Sequence, residues 1–356
     1  MISVGCVETL TREKAEWQMF RGDLQHTGAL KKALSPPLNL IWKDQTGENV
    51  YSSPAIAKGV IYVGSNDGNV YALDAKDGVK KWSYSTGFFV SSSPAVSKGI
   101  VYIGSWDKNF YALDAETGEL KWKQEIGEVT TSSPAIYDDK IYIGGGHTVY
   151  ALNTADGYVV WSYKTGGEIT SSPAIYESVV YIGSWDKNLY AFDAENGNLI
   201  WQYPTNNFVY SSPAIYENVV YVGSVDGNLY AFDAKIGKLI WKYATEDAIY
   251  SSPAVHQKTV YFGSADNYVY ALDAKTGELI WKYATEDAIY SSPALDGKSV
   301  YIGSNDKNFY MLDASDGSLK WKFLTGDTVG SSPAIADGIV YVGSRDTYIY
   351  AFEGSR

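Results

Sequence analysis

The fourteen-residue stretch WKYATEDAIYSSPA occurs twice without a difference, at Trp241–Ala254 and at Trp281–Ala294. Its tryptophan and its SSPA tetrapeptide recur along the chain every 40 residues, with one interval of 39. A fixed period of this length indicates a repeat architecture, in which one unit cannot bury its own faces and must stack on its neighbours. Eight tryptophans carry the repeat, each followed ten residues later by SSPA: Trp42, Trp82, Trp122, Trp161, Trp201, Trp241, Trp281 and Trp321.

The unit from Tyr51 to Tyr84 shows that the repeat is a β structure. It contains four segments rich in β-branched and aromatic residues, YSSPAI, IYVGS, NVYALDA and KKWSY, which are separated by the turn sequences AKG, NDG and KDG. Four short antiparallel strands per 40 residues, with no helical period between them, are typical of a propeller blade. The sequence therefore predicts an all-β fold, an eight-bladed β-propeller of four-stranded antiparallel blades.

The two ends of the repeat predict how the ring closes. The last unit stops at Phe352 after its third strand, and the first tryptophan strand, Leu38–Lys43, has no three strands before it. We expect this N-terminal strand to join the last blade, because closure would remove exposed sheet edges. Proline cannot donate to a ladder, so SSPA is expected on the inner edge of each blade. We divide the chain into a flexible tail (1–16), a leader that packs on the ring (17–37) and the propeller (38–356).

The residues that end at each tryptophan resemble a known motif. ALDAKDGVKKW (Ala72–Trp82), ALDAETGELKW (Ala112–Trp122) and ALDAKTGELIW (Ala271–Trp281) are similar to the tryptophan-docking motif of pyrroloquinoline-quinone-type repeat propellers, a family of eight-bladed folds. The resemblance implies that all eight repeat tryptophans are structural, each sandwiched between blades and burying roughly 150–250 Å². The segment WQMFRG from Trp17 also resembles the leader of many such proteins, which implies packing through Trp17 and Phe20.

Composition excludes several classes of function. The chain has a net charge of −12 and no Lys/Arg cluster larger than a pair, so a nucleic-acid partner is not expected. No apolar run approaches the roughly 20 residues of a membrane helix. The histidines form no cluster with acids, and no metal site is predicted.

The single cysteine, Cys6, follows Ile2-Ser3-Val4-Gly5. This setting resembles the end of a bacterial lipoprotein signal whose cysteine becomes lipidated, although the preceding apolar region is missing. The alternative is a free thiol without a role in a loose tail. The first interpretation predicts an extracytoplasmic protein of the cell envelope or surface, with membrane contact only through a lipid anchor. If Met1 is the true start, the cytoplasm is expected instead.

The hexapeptide GSWDKN, at Gly104–Asn109 and Gly183–Asn188, lies in a predicted turn between the second and third strands. In the equivalent turns serine and aspartate recur, while the residue between them changes freely. The likeness to WD-repeat propellers is therefore accidental. A freely varying position at a turn tip is expected to face solvent, and Trp106 and Trp185 would then be tryptophans that the fold does not need.

These turns should share one face of the ring with the loops between blades. That face carries the aromatic candidates Phe88, Phe89, Trp106, Trp185, Phe208, Tyr210, Tyr250 and Tyr290. It also carries Asp247, Asp287 and Asp327, with the glutamates Glu48, Glu128, Glu168, Glu246 and Glu286. Exposed aromatics beside carboxylates favour binding of a peptide segment, a cation or a sugar. The alternative is that the acids only solvate the loop rim and the aromatics pack locally.

The functional prediction is a monomeric, non-catalytic binding scaffold for a protein or peptide, without a cofactor. The propeller lipoprotein of the outer-membrane β-barrel assembly machinery is the nearest analogue in architecture. One alternative is a redox enzyme that binds pyrroloquinoline quinone or another small ligand; another is a surface-layer or adhesion module. The resemblance implies that the family's enzymes are longer and hold their cofactor near a vicinal cysteine pair and Ca²⁺. Cys6 alone cannot supply that pair.

Overall fold

The computed structural model describes residues 16–30, 33–127 and 129–355. All of its regular secondary structure in these ranges is β: 32 strands form eight separate four-stranded antiparallel sheets. The predicted eight-bladed, all-β propeller is confirmed. Within the described part of the chain, no helix is long and apolar enough to span a membrane.

The strands follow the repeat. The chain enters through β1 (Leu38–Gln45), which belongs to blade eight. Blades one and two contain β2 (Ala55–Ala57), β3 (Val60–Gly64), β4 (Asn69–Asp74), β5 (Lys80–Ser85), β6 (Ala95–Ser97), β7 (Ile100–Gly104), β8 (Asn109–Asp114) and β9 (Leu120–Glu125). Blades three and four contain β10 (Ala135–Tyr137), β11 (Lys140–Gly145), β12 (Thr148–Asn153), β13 (Val159–Lys164), β14 (Ala174–Tyr176), β15 (Val179–Gly183), β16 (Asn188–Asp193) and β17 (Leu199–Pro204).

The second half repeats the arrangement. Blades five and six contain β18 (Ala214–Tyr216), β19 (Val219–Gly223), β20 (Asn228–Asp233), β21 (Leu239–Ala244), β22 (Ala254–His256), β23 (Thr259–Gly263), β24 (Tyr268–Asp273) and β25 (Leu279–Ala284). Blades seven and eight contain β26 (Ala294–Leu295), β27 (Ser299–Gly303), β28 (Asn308–Asp313), β29 (Leu319–Leu324), β30 (Ala334–Ala336), β31 (Ile339–Gly343) and β32 (Tyr348–Gly354).

The two ends of the chain share blade eight. Strand β1 pairs antiparallel with β32, with Leu38 opposite Gly354 and Gln45 opposite Tyr348. The strand order in this sheet is β1-β32-β31-β30, so the N-terminal strand is its outer edge. The predicted closure is confirmed.

The inner strands are shorter than the sequence suggested. We expected YSSPAI to form one strand, but β2 begins at Ala55 and lasts three residues. The serines before it are bonded sideways to the next blade instead of along a ladder: the Ser53 N–H donates to the Ser93 hydroxyl at 2.9 Å. Proline, which lacks an N–H, separates these lateral bonds from the strand.

This lateral bond is repeated around the whole ring. The second serine of each SSPA donates its N–H to the same serine of the next blade, at distances of 2.8–3.1 Å, and Ser332 closes the circle onto Ser53. We call these eight side chains the serine collar: Ser53, Ser93, Ser133, Ser172, Ser212, Ser252, Ser292 and Ser332. The collar sets the inner radius of the propeller.

At the blade interfaces, a tryptophan and a tyrosine of one blade bond to a single carbonyl of the next. At the interface between blades three and four, the Trp161 indole N–H donates to the Ala194 carbonyl at 3.0 Å, and the Tyr142 hydroxyl donates to the same oxygen at 2.9 Å. The indole lies over Gly197, where an added Cβ would stand 2.6 Å from the ring.

Seven interfaces share this arrangement. The tryptophans that donate are Trp42, Trp82, Trp122, Trp161, Trp201, Trp241 and Trp281, and the acceptors are the carbonyls of Ala75, Ala115, Thr154, Ala194, Ala234, Ala274 and Ala314.

The eighth interface, between blades seven and eight, is built differently, because the outer strand of blade eight is β1 and no turn joins it to β32. There Trp321 packs against Phe309, Phe323 and Phe352. The buried Asp296 accepts hydrogen bonds from the Tyr301 hydroxyl and the Leu34 N–H, both at 2.7 Å. The leader thus seals the one junction at which the repeat is incomplete.

The leader also follows the inner strands around the ring. Residues 17–28 bond to the inner strands of blades one, two, four, five, six and seven, at the position that follows each SSPA. For example, the Ile56 N–H donates to the Trp17 carbonyl and the Leu295 N–H donates to the Gly28 carbonyl. The buried Arg21 guanidinium donates to the carbonyls of Pro253 and Pro293. Because burial removes its hydration, the pKa of Arg21 is lowered to about 9.

The interface glycine gives a matched test of the tryptophan contact. Gly197 and Gly99 have φ values of +74° and +78°, but an added Cβ meets the Trp161 indole only at Gly197 and nothing within 4 Å at Gly99. We expect Gly99→Ala to cost about 1–2 kcal/mol, from backbone strain alone. Gly197→Ala should cost about 2–4 kcal/mol, because overpacking is added. Urea denaturation measures both, and equal losses would contradict the role assigned to the indole contact.

Candidate functional site

A single cavity of about 600 Å³ occupies the axis of the propeller, and we call it the funnel. The eight collar serines line its wall, and Phe20 of the leader lines it as well. Along each inner strand the residue before SSPA comes first, then the collar serine, and then the residue bonded to the leader. The leader therefore lies at the far side of the collar from the inter-blade loops, and the funnel opens toward the loop face.

The mouth of the funnel is formed by two recurring positions. All eight residues that precede SSPA line it: Tyr51, Ser91, Thr131, Thr170, Tyr210, Tyr250, Tyr290 and Gly330. Four residues from the middle of the serine–aspartate turns join them: Asn66, Trp106, Asn305 and Arg345. Aromatic side chains occupy one side of the mouth, and small hydroxyl-bearing residues occupy the side from Ser91 to Thr170.

Five of the candidate aromatics form a continuous arc from blade four to blade seven, which we call the aromatic crescent: Phe208, Trp185, Tyr210, Tyr250 and Tyr290. Phe208 stacks on Trp185 with the ring planes 9° apart, and Trp185 contacts Tyr210 at 6.4 Å. Tyr210 meets Tyr250 edge-on at 5.4 Å, and Tyr250 meets Tyr290 at 5.0 Å. Because little water reaches the Tyr210 hydroxyl, its pKa is raised.

The remaining three aromatics form a separate Trp106 cluster. Phe88 stacks on Phe89 with a centroid distance of 4.4 Å, and Phe89 contacts Trp106 at 5.5 Å. The Trp106 indole N–H is buried and has no acceptor among the described residues. In the crescent, the equivalent N–H of Trp185 donates to the Thr170 hydroxyl at 2.9 Å. At Trp106 the matching residue is Ser91, whose hydroxyl donates to Asn66 instead.

The expectation that the turn tips face solvent is wrong for both tryptophans. Trp106 and Trp185 are half-buried. A backbone bond ties each tip to the preceding inter-blade loop: the Trp106 N–H donates to the Phe89 carbonyl at 2.9 Å, and the Trp185 N–H to the Glu168 carbonyl at 2.8 Å. Each indole packs on an aromatic ring of that neighbourhood, Trp106 on Phe89 and Trp185 on Phe208, and Trp106 lines the mouth of the funnel.

The aspartate of each turn is a structural group. The Asp107 carboxylate accepts hydrogen bonds from the N–H groups of Gly87 and Asn109 and from the Tyr111 hydroxyl. Burial by itself would raise the pKa of Asp107, but these three donors outweigh it and hold the pKa below its ordinary value. The turn and the loop before it are therefore fixed as one body. Blade three, whose turn reads GGHT, is one residue shorter and has no aspartate in this turn.

The candidate acids lie outside the funnel. Asp247, Asp287 and Asp327 each accept the backbone N–H of the following residue, at 2.6–2.7 Å. Asp247 and Asp287 are exposed and Asp327 is half-exposed. Among the described residues no acid lines the funnel, and Arg345 is the only charged one that does. Glu128 and Cys6 fall outside the described residues.

Sequence reasoning missed several residues of the mouth. It did not select Arg345, Asn66 or Tyr51 as candidates. It also did not identify the collar serines as a hydrogen-bonded ring. The signal for the collar was present, since serine recurs at one position in all eight units. In residues 16–30, 33–127 and 129–355, no group of three His, Cys, Asp or Glu side chains is placed to hold a metal ion.

Comparison with known proteins agrees with this geometry. The family model described as "Outer membrane protein assembly factor BamB" matches residues 38–135 and 265–356, which together exceed half of the chain. The chain belongs to this family of pyrroloquinoline-quinone-type repeat propellers. A second model, described as the β-propeller of the beta-alanine-activating enzyme, matches residues 137–297. No curated protein matches the chain in sequence.

Solved structures share the fold at low identity. BamB from Moraxella catarrhalis is similar with a TM-score of 0.78 and 20% identity, over 89% of this chain and 100% of that one. A europium-containing methanol dehydrogenase gives a TM-score of 0.83 and 15% identity, over 95% and 98%. The quinohemoprotein alcohol dehydrogenase from Comamonas testosteroni gives 0.85 and 16%, over 96% and 81%. At these identities the likeness shows the architecture, which binding proteins and enzymes of the family share.

The turn aspartate makes a pH-dependent contribution to stability. Because the folded pKa of Asp107 is depressed, its ionised form stabilises the fold, fully so above the unfolded value near 4. We expect Asp107→Asn to lower the free energy of unfolding by about 1–3 kcal/mol at neutral pH. The difference from wild type should shrink as the pH falls below about 4.

Denaturant melts across this pH range measure the effect. Glu286→Gln, the same charge change at an exposed rim residue, is the control. A loss for Asp107→Asn that stays constant with pH would contradict the assignment.

Proposed function

We propose that this protein is a non-catalytic scaffold of the cell envelope, and that its loop face binds a peptide segment of a partner protein. The observation that carries the proposal is the aromatic crescent. A closed propeller needs no aromatic side chains at the mouth of its channel, since blades two, three and four carry Ser91, Thr131 and Thr170 at the positions of Tyr210, Tyr250 and Tyr290.

The crescent has the character of a binding surface. Phe208, Tyr210 and Tyr290 are 38%, 39% and 45% exposed, and Phe88 of the Trp106 cluster is 50% exposed. Tyrosine and tryptophan are the side chains that contribute most to protein interfaces, because they present a large rigid apolar area with a polar end. Contiguous exposed aromatics on a soluble protein mark an interaction site more often than a packing accident.

The rim outside the crescent is acidic. Asp247 and Asp287 lie beside Tyr250 and Tyr290, and Glu246 and Glu286 precede them in the same loops. An aromatic surface bordered by carboxylates favours an extended segment that carries basic as well as apolar residues. The Moraxella catarrhalis relative, a BamB, belongs to the assembly-factor family that this chain matches, which supports a binding role in the envelope.

The dehydrogenase neighbours favour a second candidate, a quinone-dependent redox enzyme. The expectation that the family's enzymes are longer than this chain does not argue against this candidate, because the alignments cover 98% and 81% of those enzymes. The funnel itself fits the cofactor poorly. Pyrroloquinoline quinone carries three carboxylates, and the funnel lining offers Arg345 as its only cation, with no cluster of acids for Ca²⁺ among the described residues.

Double substitution of Trp106 and Trp185 by alanine tests the aromatic face. We expect binding of the partner to weaken by about 30-fold or more, because truncating aromatic residues at the centre of an interface commonly costs about 2 kcal/mol or more. Partner capture from a cell-envelope extract, quantified by mass spectrometry, measures the loss. Val79→Ala, which truncates a side chain that is 62% exposed at the opposite end of blade one, is the control. Unchanged capture would remove the aromatic-face hypothesis.

A photo-crosslinking residue locates the partner independently of affinity. Placed at Tyr290, p-benzoylphenylalanine should give a discrete protein adduct in the envelope extract. Placed at Tyr158, which is 73% exposed in a turn remote from the mouth, it should give none. Equal labelling from both positions would show that the crescent is not the binding surface.

Titration of the protein with pyrroloquinoline quinone and Ca²⁺ separates the two candidates. Because one cation faces three carboxylates, we expect no saturable change in the absorbance of the cofactor. Tight saturable binding would establish the enzyme candidate instead.

A further inference from the structure

We propose that the funnel binds a carboxylate of the partner polypeptide, which enters between the aromatic crescent and the Trp106 cluster and pairs with Arg345. This inference rests on the proposed peptide-binding function and assigns the chemistry recognised at its centre. Four features of the described residues carry it: a lone cation, a ring of hydroxyl donors, the absence of lining acids, and a closed floor.

The cation is unneutralised. The Arg345 guanidinium lies over the Tyr51 ring at 5.3 Å, and no carboxylate of the described residues stands within ion-pair distance of it. In contrast, Lys81, Lys121 and Lys320, on the outer strands, are each paired with an aspartate at 2.8–2.9 Å. The planar guanidinium of Arg345 matches the geometry of a carboxylate, and no acid of the described residues occupies it.

The collar supplies donors. Each collar hydroxyl oxygen accepts the N–H of the preceding blade, and no acceptor for its own proton is found among the described residues. These hydroxyls are buried at the wall of the funnel, with 4–7% of each serine exposed. A hydroxyl whose lone pair is already used is free to donate, so the collar presents hydrogen-bond donors to the axis.

The lining contains no competing anion. The described part of the chain lines the funnel with hydroxyls, amides, aromatic rings and Arg345, and with no Asp or Glu. A carboxylate at the axis would therefore meet donors and one positive charge, while a lysine or arginine side chain would meet Arg345 without any acid to balance it. Charge-assisted hydrogen bonds to a carboxylate are the strong class of polar contact, and they gain further where water is scarce.

The floor decides how a chain can enter. Because the leader crosses beneath the collar and Phe20 lines the funnel, a polypeptide cannot thread through the ring. A side chain or a chain end can reach the collar, and both carry the required group: aspartate and glutamate in the first case, the C-terminal carboxylate in the second. The acidic rim then contacts basic residues outside the funnel, which gives the bound segment a cationic body and an anionic tip.

Paired peptide arrays test the inference without knowledge of the natural partner. Identical sets of sequences, rich in lysine and aromatic residues, are synthesised with free C-terminal carboxylates and with C-terminal amides, and a third set has amide ends and an internal aspartate. The labelled full-length protein is applied to all three. We expect the sequences that bind to favour a carboxylate-bearing form by about tenfold, the effect of one charge-assisted contact.

Arg345→Gln should abolish this preference, and Arg345→Lys should retain part of it. Lys98→Gln removes one positive charge from an exposed turn of blade two and should leave the preference intact. Circular dichroism checks the fold of each variant, and Arg345→Lys keeps the test decisive if the glutamine variant is unstable.

The outcomes separate this inference from the proposed function. Preference for free ends supports a chain terminus as the source of the carboxylate, and preference for internal aspartate supports a side chain. Equal binding of all three sets, or a preference that survives Arg345→Gln, overturns the carboxylate inference while the peptide site remains. Binding to none of the sets overturns the inference as well, and loss of the Tyr290 crosslink in addition would overturn the proposed function.

Discussion

The structure depends on one shared acceptor at seven of its eight blade interfaces. A backbone carbonyl of one blade receives both an indole N–H and a tyrosine hydroxyl from the blade before it, as Ala194 does from Trp161 and Tyr142. Both donors are amphipathic rings, so the same contact buries apolar area and satisfies three polar groups. The glycine beneath the indole allows the close approach, and its positive φ forms the turn that presents the carbonyl. This is why tryptophan, alanine and glycine keep a constant spacing in the repeat.

A ring built from equal interfaces has a defect wherever the chain begins and ends. Here the defect lies between blades seven and eight, where no turn joins β32, the third strand of blade eight, to the outer strand β1. The leader bonds to six inner strands through residues 17–28 and then covers the defect through the Leu34–Asp296 bond. One short segment therefore seals the seam and closes one end of the channel. The closed end turns a pore into a funnel that can be entered only from the loop face.

Function requires a departure from the symmetry of the ring. The blades differ little in their cores and outer strands, and the differences that matter gather around the mouth. Tyrosines replace small residues over one arc, one turn presents Trp106, and another presents Arg345. The rim of the opening is acidic, but the charged residue that lines the funnel inside it is Arg345. The funnel is therefore positively charged, which the net charge of −12 does not suggest. These features favour a directional binding site for a segment with charges of both signs.

The sequence by itself determined the blade count, the four strands per blade and the sharing of blade eight, because a 40-residue period and β patterning leave few other ways to bury the faces of each unit. It also selected the aromatic candidates of the loop face. It did not determine where the side chains of Trp106 and Trp185 point, since variation at a turn tip reports a lack of structural constraint and not a direction. The serine collar, the closed floor and the isolation of Arg345 were decided only by the tertiary structure. Each arises from residues 39 or more positions apart that the ring brings to one axis, and no local pattern encodes that convergence.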